Sequence, residues 1–269
     1  MVSPTPSIAL AITSHEQPES LAAVLRSVSA QRVSPDEIVI ADDGSGHATQ
    51  EVMQSFIAAS RVPVRRVSQP HQGFRVARLR NLAIAATHCE LILFVDGDML
   101  LHPAFVADHA RHARRGFYTQ GVRALADASL SARLLAGAPF PGPASAGLGG
   151  LRRAYLLHAP AATGALRRVA NGFIAVKSCN QAIWRDDLVR VNGFDEDFIG
   201  WGPEDKELCA RLENADVGRQ SLLFGGIACH LHHAPASRAS LSANLARLSA
   251  TRASGRTRAE HGLDSHLRD

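Results

Sequence analysis

Short apolar runs alternate along the first part of the chain with segments whose apolar residues recur at helical spacing. The runs at residues 8–13, 37–41, 63–67 and 91–95 predict strands. The segments between them predict amphipathic helices, with apolar stripes at Leu21, Val24, Leu25 and Val28, at Val52, Met53, Phe56 and Ile57, and at Leu79, Leu82, Ala83 and Ala86. Alternating strands and helices with short connections are typical of a doubly wound, mostly parallel α/β sheet with helices on both faces.

Polar residues follow these predicted strands where each one ends. Thr13 closes the first strand, Asp43 follows the second, and Asp96 and Asp98 flank a glycine after the fourth. Ligands bind at the carboxyl ends of parallel strands, so we expect these side chains to converge at one edge of the sheet. An Asp-x-Asp triplet suits Mg²⁺ or Mn²⁺, which take oxygen ligands and bind phosphates. On spacing alone the triplet is also compatible with an ordinary turn.

A tight loop before a later helix carries a second set of acids. Residues 200–205 place glycines and a proline around Trp201, and Glu204 and Asp205 precede a helical segment at residues 206–212. Acids beside an aromatic ring can hold a polar, ring-shaped substrate and take a proton from it. The alternative is that these acids only favour the helix N-terminus through its dipole.

Histidines end the last predicted strand. His230 directly follows the short apolar run at residues 226–229, and His232 and His233 come next. An imidazole at this position can complete a metal site with the carboxylates of the Asp-x-Asp triplet. The alternatives are a hydrogen-bonded core histidine for His230 and solvated surface histidines for His232 and His233.

Two regions lack a clear pattern. Residues 124–168 are rich in glycine and proline and predict a lid, a binding loop or disorder. The arginine-rich tail carries Leu241, Leu245 and Leu248 at near-helical spacing. It predicts a helix packed on the body or, less favoured, a basic amphipathic segment on an anionic membrane.

Composition narrows the possible partners. The chain has 29 Lys+Arg against 25 Asp+Glu, a net charge of +4 carried mostly by arginine, which suits phosphate groups. It has no helix-turn-helix, zinc-finger or aromatic RNA-binding pattern, so we expect no nucleic-acid partner. Four cysteines without CxxC spacing predict free thiols. No signal peptide and no apolar run near roughly 20 residues is found, so we expect a cytoplasmic protein, at most peripheral at the inner face of the membrane.

Two nucleotide-binding fingerprints are missing. No GxGxxG follows the first strand, which disfavours a dinucleotide oxidoreductase. No GxxxxGK[ST] occurs either, which disfavours a P-loop nucleotidase.

The motifs together resemble one enzyme family. Residues 8–13, residues 37–45 and the Asp96-Gly97-Asp98 triplet resemble the nucleotide-binding half of family-2 nucleotide-sugar glycosyltransferases of the GT-A fold. Residues 192–196 and 200–205 resemble the acceptor-binding and catalytic segment shared with β-1,4-galactosyltransferases and polypeptide GalNAc-transferases. The resemblance covers residues 6–110 and 170–234. It divides the chain into a nucleotide-sugar-binding half at 1–115, a variable loop or lid region at 116–170, an acceptor-binding and catalytic segment at 171–234, and a basic tail at 235–269.

The resemblance implies an activity and a set of roles. The activity is inverting, metal-dependent transfer of a sugar from a UDP-sugar to a hydroxyl of a glycan or glycolipid, in bacterial cell-surface polysaccharide or lipopolysaccharide synthesis. The implied donor-binding residues are Thr13, Asp43, Arg75, Arg78 and Asp96; the acceptor-binding residues are Trp201 and Glu204; the general base is Asp205; and the ligands of Mn²⁺ or Mg²⁺ are Asp98 with His230 or, as second choice, His233.

This sequence departs from the family pattern at two points. Pro203 replaces a glycine often seen before the Glu-Asp pair, and no methionine near His230 matches the metal ligand of the galactosyltransferases. Two other functions stay open: a sugar nucleotidyltransferase, disfavoured because residues 14–18 are not a glycine-rich loop with a lysine, and a non-catalytic sugar-binding module, disfavoured because all the acids that the chemistry needs are present.

Overall fold

The structure is a computed structural model that describes residues 5–165, 168–170, 176–234 and 236–267. The strands are β1 Ile8–Ser14, β2 Glu37–Asp42, β3 Val64–Ser68, β4 Leu91–Asp96, β5 Met99–Leu101, β6 Phe117–Gln120, β7 Val122–Leu125, β8 Arg168–Ala170, β9 Asn180–Trp184, β10 Gly218–Ser221 and β11 Ile227–His230. The α-helices are α1 Pro18–Ser29, α2 His47–Ala59, α3 Val76–Ala85, α4 Phe105–His112, α5 Ala128–Leu135, α6 Pro160–Ala165, α7 Arg185–Arg190, α8 Glu204–Asn214 and α9 Leu241–Ser254.

The main sheet within these residues has eight strands in the order β3-β2-β1-β4-β9-β6-β10-β8. The first four of this order are parallel, and β9 runs antiparallel to both β4 and β6. All seven residues of β1 are buried. A continuous apolar strand is expected where helices cover both faces of a sheet. The predicted doubly wound α/β architecture, with a mostly parallel sheet and helices on both faces, is confirmed.

Alternate residues of the central strand build two cores. Leu10 packs on the face that holds Leu21 of α1. Ala11 points to the other face, with Leu79 of α3 and Leu208 of α8. Successive strand side chains point to opposite faces, so one strand serves both helical layers.

A small second sheet brings distant segments together. It has the order β5-β11-β7, and in it His230 pairs with Met99. The next backbone amide, that of Leu231, donates to the carbonyl oxygen of Asp98 at 2.9 Å. The sheet therefore fixes the residue after the Asp-x-Asp turn against the end of β11.

The region from 124 to 168 is more ordered than its composition suggested. It contains α5, a 3-10 helix at Gly150–Leu156 and α6. The Asp127 side chain caps α5 by accepting from the Leu130 amide at 2.8 Å, and Leu130 and Leu134 are buried. The sequence prediction of one long loop was wrong here, because a helix of only two turns is easily masked by the glycines and prolines beyond it.

The domain boundaries proposed from sequence stay a prediction. One part of the region assigned as variable, residues 116–170, supplies β6, which lies inside the main sheet between β9 and β10. All four cysteines are free.

The tail forms α9 and packs on α8. Leu248 is buried, and the Thr251 hydroxyl donates to Glu207 at 2.9 Å. Two tail arginines bind acids of the preceding loop: Arg247 pairs with Asp197 at 3.2 Å, and Arg256 with Asp195 at 2.8 Å. The packed helix is therefore the form that the structure shows. Among the residues described, none of the helices combines the length and apolar composition that crossing a bilayer requires.

Candidate active site

One cavity of about 590 Å³ opens at the carboxyl ends of β1 and β4. The residues predicted for the site that line it are Thr13, Asp43, Asp96, Asp98, Trp201, Glu204, Asp205, His230 and His233. Arg75 and Arg78 are not among the described residues that line it. The volume lies in the range of cavities that hold small-molecule ligands.

Asp98, His230 and His233 form a cluster in this cavity. The Asp98 Oδ2 atom lies 3.5 Å from His230 Nε2 and 3.2 Å from His233 Nε2, and the two imidazole nitrogens are 3.3 Å apart. The Asp98 Oδ1 atom is buried and has no hydrogen-bond partner among the described residues. A carboxylate with a bare buried oxygen and two convergent imidazoles is a donor set that divalent cations accept.

The charges in this cluster shift each other's ionisation. Burial by itself would raise the pKa of Asp98. The hydrogen bond from His233 and the charges of both histidines outweigh this effect and hold the pKa of Asp98 below its ordinary value. The same hydrogen bond raises the pKa of His233 to about 9. Burial lowers the pKa of His230.

Two other groups also bring imidazoles beside a carboxylate. His15, Asp43 and His71 lie in the same cavity, but both Asp43 oxygens already accept hydrogen bonds. The other group is His102, Asp108 and His158, where the Asp108 carboxylate accepts from the Gly226 amide and contacts His158. Only the cluster at Asp98 has a buried carboxylate oxygen without a partner among the described side chains.

A polar chain joins the strand ends to the acids of α8. The Thr13 hydroxyl donates to Asp96 Oδ1 at 2.9 Å, and Arg80 Nη2 donates to the same oxygen at 3.0 Å. The other guanidinium nitrogen, Arg80 Nη1, donates to Glu204 Oε1 at 2.9 Å. Arg80 is 3% exposed, so its charge is neutralised by these two carboxylates rather than by water.

Asp43 is held in one orientation beneath two histidines. Its carboxylate accepts from Gln69 Nε2 at 2.7 Å and lies 2.9 Å from His71 Nδ1. The His15 ring stacks on the His71 ring with centroids 4.1 Å apart. Each carboxylate oxygen retains a second lone pair, so Asp43 can accept a further hydrogen bond from a ligand.

Arg75 and Arg78 contact the protein rather than the cavity. Arg75 Nη2 donates to the Pro70 carbonyl at 3.1 Å, and Arg78 Nη1 donates to Gln69 Oε1 at 3.0 Å. Arg78 therefore acts on the site indirectly, since Gln69 holds Asp43. The donor contacts that the family resemblance implies for Arg75 and Arg78 stay a prediction.

Glu204 and Asp205 begin α8 and are buried. The Asp205 carboxylate accepts from the Lys206 amide at 2.7 Å and from the Ser178 amide at 3.4 Å. Burial raises the pKa of Asp205, and the positive charges of Lys177 and Arg80 oppose this. Burial and the neighbouring Asp205 raise the pKa of Glu204 as well, against Arg80. Both acids thus ionise at higher pH than exposed carboxylates, as expected for groups that exchange protons.

The loop before α8 is shaped by close contact with α9. A Cβ on Gly202 would lie 2.5 Å from the Asn244 side chain, and one on Gly200 would lie 2.3 Å from Ser240. Asn244 in turn donates to the carbonyl of Trp201 at 3.4 Å. These contacts leave Trp201 half-buried at the edge of the cavity, with the Arg238 guanidinium 5.3 Å from its ring centroid.

Sequence reasoning missed Arg80 and the other cations of the cavity, Arg123, Lys177, Lys206 and Arg238. A signal for Arg80 was present. It lies three residues after Ala77 and three before Ala83, on the apolar stripe of α3, where a charged side chain needs a buried partner. Which acid would be that partner depends on the tertiary fold.

Comparisons with known proteins identify related glycosyltransferases. Residues 10–143 match the model of glycosyl transferase family 2, and residues 170–234 match a model described as the N-terminal domain of galactosyltransferase. The predicted resemblance to family-2 glycosyltransferases with a galactosyltransferase-type C-terminal segment is confirmed.

Proteins related to this chain in sequence are glycosyltransferases. Validoxylamine A glucosyltransferase of Streptomyces hygroscopicus subsp. limoneus is 27% identical over 77% of this chain and 48% of its own length. Chondroitin synthase of Pasteurella multocida is 26% identical over 66% of this chain and 20% of its length. The chain thus spans about half or less of these relatives.

Solved structures share the GT-A fold. S. aureus TarS superposes with a TM-score of 0.63 at 14% identity, over 97% of this chain and 41% of that chain. GalNAc-T7, crystallised with UDP, GalNAc and Mn²⁺, superposes with a TM-score of 0.60 at 15% identity, over 86% and 45%.

Proposed function

We propose that this chain transfers a sugar from a UDP-sugar to a hydroxyl of a glycan or glycolipid acceptor, with inversion at the anomeric carbon and with the help of a divalent cation. One observation carries the proposal: a single cavity is lined both by the Asp98, His230 and His233 cluster and by Asp205. Transfer of this kind needs a charge-stabilising group at the leaving diphosphate and a proton acceptor at the attacking hydroxyl.

Asp205 is the proposed general base. Backbone amides of Ser178 and Lys206 fix its carboxylate, so it has one orientation toward the cavity. It takes the proton of the acceptor hydroxyl while that oxygen forms a bond to the anomeric carbon and the bond from this carbon to the UDP oxygen breaks. The attacking oxygen and the leaving oxygen lie on opposite faces of the sugar, so a single displacement converts an α-linked donor into a β-linked product.

Donor binding is proposed for the residues at the strand ends. Asp43, braced by Gln69 and His71, supplies an acceptor to the base, and Thr13 and Asp96 lie where a ribose would follow. Trp201 and Glu204 are proposed to hold the sugars, the indole by contact with ring C–H groups and the carboxyl by hydrogen bonds to hydroxyls. Arg75 and Arg78 are proposed to support this donor site through their hydrogen bonds to the neighbouring segment, at Pro70 and Gln69.

Asp98, His230 and His233 fit a divalent cation, because Asp98 Oδ1 is buried without a partner among the described side chains and both imidazole Nε2 atoms lie within 3.5 Å of Asp98 Oδ2. Bound there, Mn²⁺ or Mg²⁺ would stabilise the negative charge of the departing diphosphate. That GalNAc-T7 was crystallised with UDP and Mn²⁺ supports this assignment.

A panel of UDP-sugars tested by thermal shift with Mn²⁺ examines the proposal, because a ligand that binds only the folded state raises its stability. We expect at least one UDP-sugar to raise the melting temperature more than UDP-free controls, and incubation of that donor with acceptor to release UDP. Release of pyrophosphate from nucleoside triphosphates would instead support a sugar nucleotidyltransferase. Binding without any turnover would support a sugar-binding module.

The setting of this activity is proposed from the family resemblance. A bacterial cell-surface polysaccharide or lipopolysaccharide is the proposed acceptor class. The proposed location is the cytoplasm or the inner face of the cell membrane.

A further inference from the structure

Helix α9 carries two leucines that the core does not use. Leu248 is buried on the body, but Leu241 and Leu245 line the cavity, and Leu245 is 46% exposed. The three leucines of α9 therefore have two different roles. Leu248 packs the helix on the body, whereas Leu241 and Leu245 present apolar surface to a ligand in the cavity.

Phe74 and Trp201 continue this apolar surface. Both line the same cavity, and Phe74 is 42% exposed. Their segments are joined by the Gly200 amide, which donates to the Phe74 carbonyl at 2.8 Å, while Asn244 of α9 donates to the Ile199 carbonyl at 3.1 Å. The side chains that we call the apolar rim, Phe74, Trp201, Leu241 and Leu245, thus come from three segments fixed to one another.

Two cations border the apolar rim. Lys206 and Arg238 line the cavity, and Arg238 lies over the Trp201 ring. Neither forms an ion pair with a carboxylate of the residues that the structure describes. The rim therefore combines apolar surface with two cations that have no ion-pair partner among the described acids, which is complementary to a ligand with an apolar part and an anionic group.

The donor does not account for this surface. A UDP-sugar carries no hydrocarbon chain, and of the apolar rim only Trp201 is proposed to contact sugars. Arg238, Leu241 and Leu245 lie beyond residues 10–143 and 170–234, the segments that the two family models match, whereas Phe74 and Trp201 lie within them. The component of the reaction that remains for Phe74, Leu241 and Leu245 is the acceptor.

We propose that the acceptor is a phosphate-linked lipid whose apolar chain lies on Phe74, Leu241 and Leu245 of the apolar rim, whose phosphate lies by Arg238 and Lys206, and whose sugar lies by Trp201 with a hydroxyl that points to Asp205. This inference rests on the proposed function and names the acceptor class for the same site. It assigns to Phe74 and Leu245 a part in choosing the acceptor.

Binding of decyl phosphate, used below its critical micelle concentration in the presence of UDP and Mn²⁺, tests the inference. By isothermal calorimetry we expect decyl phosphate to bind the full chain more tightly than methyl phosphate and more tightly than the neutral decyl maltoside. Leu245→Ser and Phe74→Ser should each weaken it by roughly fivefold to tenfold, as expected for losing half-buried apolar contact. Arg238→Gln should weaken decyl phosphate and leave decyl maltoside unchanged.

Val33→Ser and Ile57→Ser are matched controls, since both side chains are exposed apolar residues, at 47% and 37%, and neither is among the described residues that line the cavity. They should bind decyl phosphate like the wild type.

Equal affinity for decyl and methyl phosphate, or unchanged affinity in the Leu245 and Phe74 variants, would overturn the inference. UDP titrated with Mn²⁺ in the same variants keeps the two proposals apart. Normal UDP binding with no preference for decyl phosphate rejects only the lipid acceptor, whereas absent UDP binding in the wild type rejects the proposed function.

Discussion

Asp205 is buried, yet it faces a cavity from which a substrate hydroxyl can reach it. Two backbone amides fix the orientation of its carboxylate, because each of them donates to a different oxygen. Replacement with an amide of the same shape keeps one oxygen that can accept from the Lys206 amide, puts an NH2 group in place of the oxygen that accepts from the Ser178 amide at 3.4 Å, and removes the ability to take a proton. The change thus removes the proton acceptor at the cost of one long hydrogen bond.

Asp205→Asn should therefore lower the rate of sugar transfer by about 10²- to 10⁴-fold, the usual contribution of general acid–base catalysis. UDP-sugar binding should stay near the wild-type level, because the proposed donor contacts lie at the strand ends. Single-turnover transfer and donor titration measure the two quantities. Asp186→Asn on exposed α7 is the control and should leave both unchanged. Turnover at the wild-type rate in the Asp205 variant would remove it from the role of base.

Lys177 should set the pH at which this base becomes active. Burial raises the pKa of Asp205, and the charge of Lys177 counteracts part of that rise. The base must be ionised, so kcat/KM should increase with pH through the raised pKa. Lys177→Met removes a charge that stabilises the carboxylate, so its pKa should rise further and the acid limb should move to higher pH.

Lys177→Arg, which keeps the charge, is the control, and its acid limb should stay close to that of the wild type. The measurement is the pH profile of kcat/KM for all three proteins. An acid limb that does not move in Lys177→Met would show that another group controls the profile.

The sequence alone identified the polar residues at the ends of the strands, but it did not show where the Arg80 side chain lies. Asp98 was named because the topology of a parallel sheet dictates where strand ends meet, whereas Asp205 was named from the loop before its helix and from the family resemblance. Arg80 lies on an apolar stripe with no sequence neighbour to neutralise it, and its two partners, Asp96 and Glu204, are distant in the chain. Only the folded chain shows that it links the end of β4 to the start of α8 across the cavity.

At the scale of elements, α9 holds α8 and the loop that presents Trp201. Glu207 of α8 accepts from Thr251 of α9 at 2.9 Å and pairs with Arg256 at 3.1 Å, and within α8 it also binds the fully buried Arg211. A buried carboxylate surrounded by these donors fixes the relative position of the two helices. The packing of α9 on α8 therefore also fixes the position of Glu204 and Asp205 at the start of α8.

Leu248→Ala should lower the free energy of unfolding by about 2–4 kcal/mol, because the side chain is 5% exposed and its loss leaves a cavity between α9 and the body. Leu245→Ala on the same helix should change it by no more than about 0.5 kcal/mol, since this leucine is 46% exposed. Urea denaturation measures both. Equal effects would mean that α9 does not dock through Leu248.

Long, strongly periodic elements were predicted well, whereas several short ones, α5 and β9 among them, were not. α1, α2 and α3 carry clear apolar stripes, and β1, β2 and β4 are continuous apolar runs. α5 spans only Ala128–Leu135 and its signal is weaker than the glycines and prolines that follow it. β9 is antiparallel in an otherwise parallel neighbourhood, and no local pattern of Asn180–Trp184 indicates which strands it will join.

At the scale of the whole molecule, the Asp98 cluster joins the two parts of the chain that the family models match separately. Asp98 follows β4 in the first part, and His230 and His233 come at the end of the second. A cation bound by all three would connect these parts only in the folded state, so its binding energy would add to the stability of the fold. The effect is measurable without any substrate.

Mn²⁺ at about 100 times its dissociation constant should stabilise the protein by about 2.7 kcal/mol, and EDTA should remove this gain. His233→Ala should abolish most of the shift in melting temperature, because it deletes a ligand atom that lies 3.2 Å from Asp98. His232→Ala is the matched control: its side chain is exposed and lies outside the cluster, so its shift should equal that of the wild type. Equal Mn²⁺ shifts in the two variants, or full transfer activity in EDTA, would contradict a metal site at Asp98, because a ligand that contributes nothing to binding in the folded state cannot raise its stability.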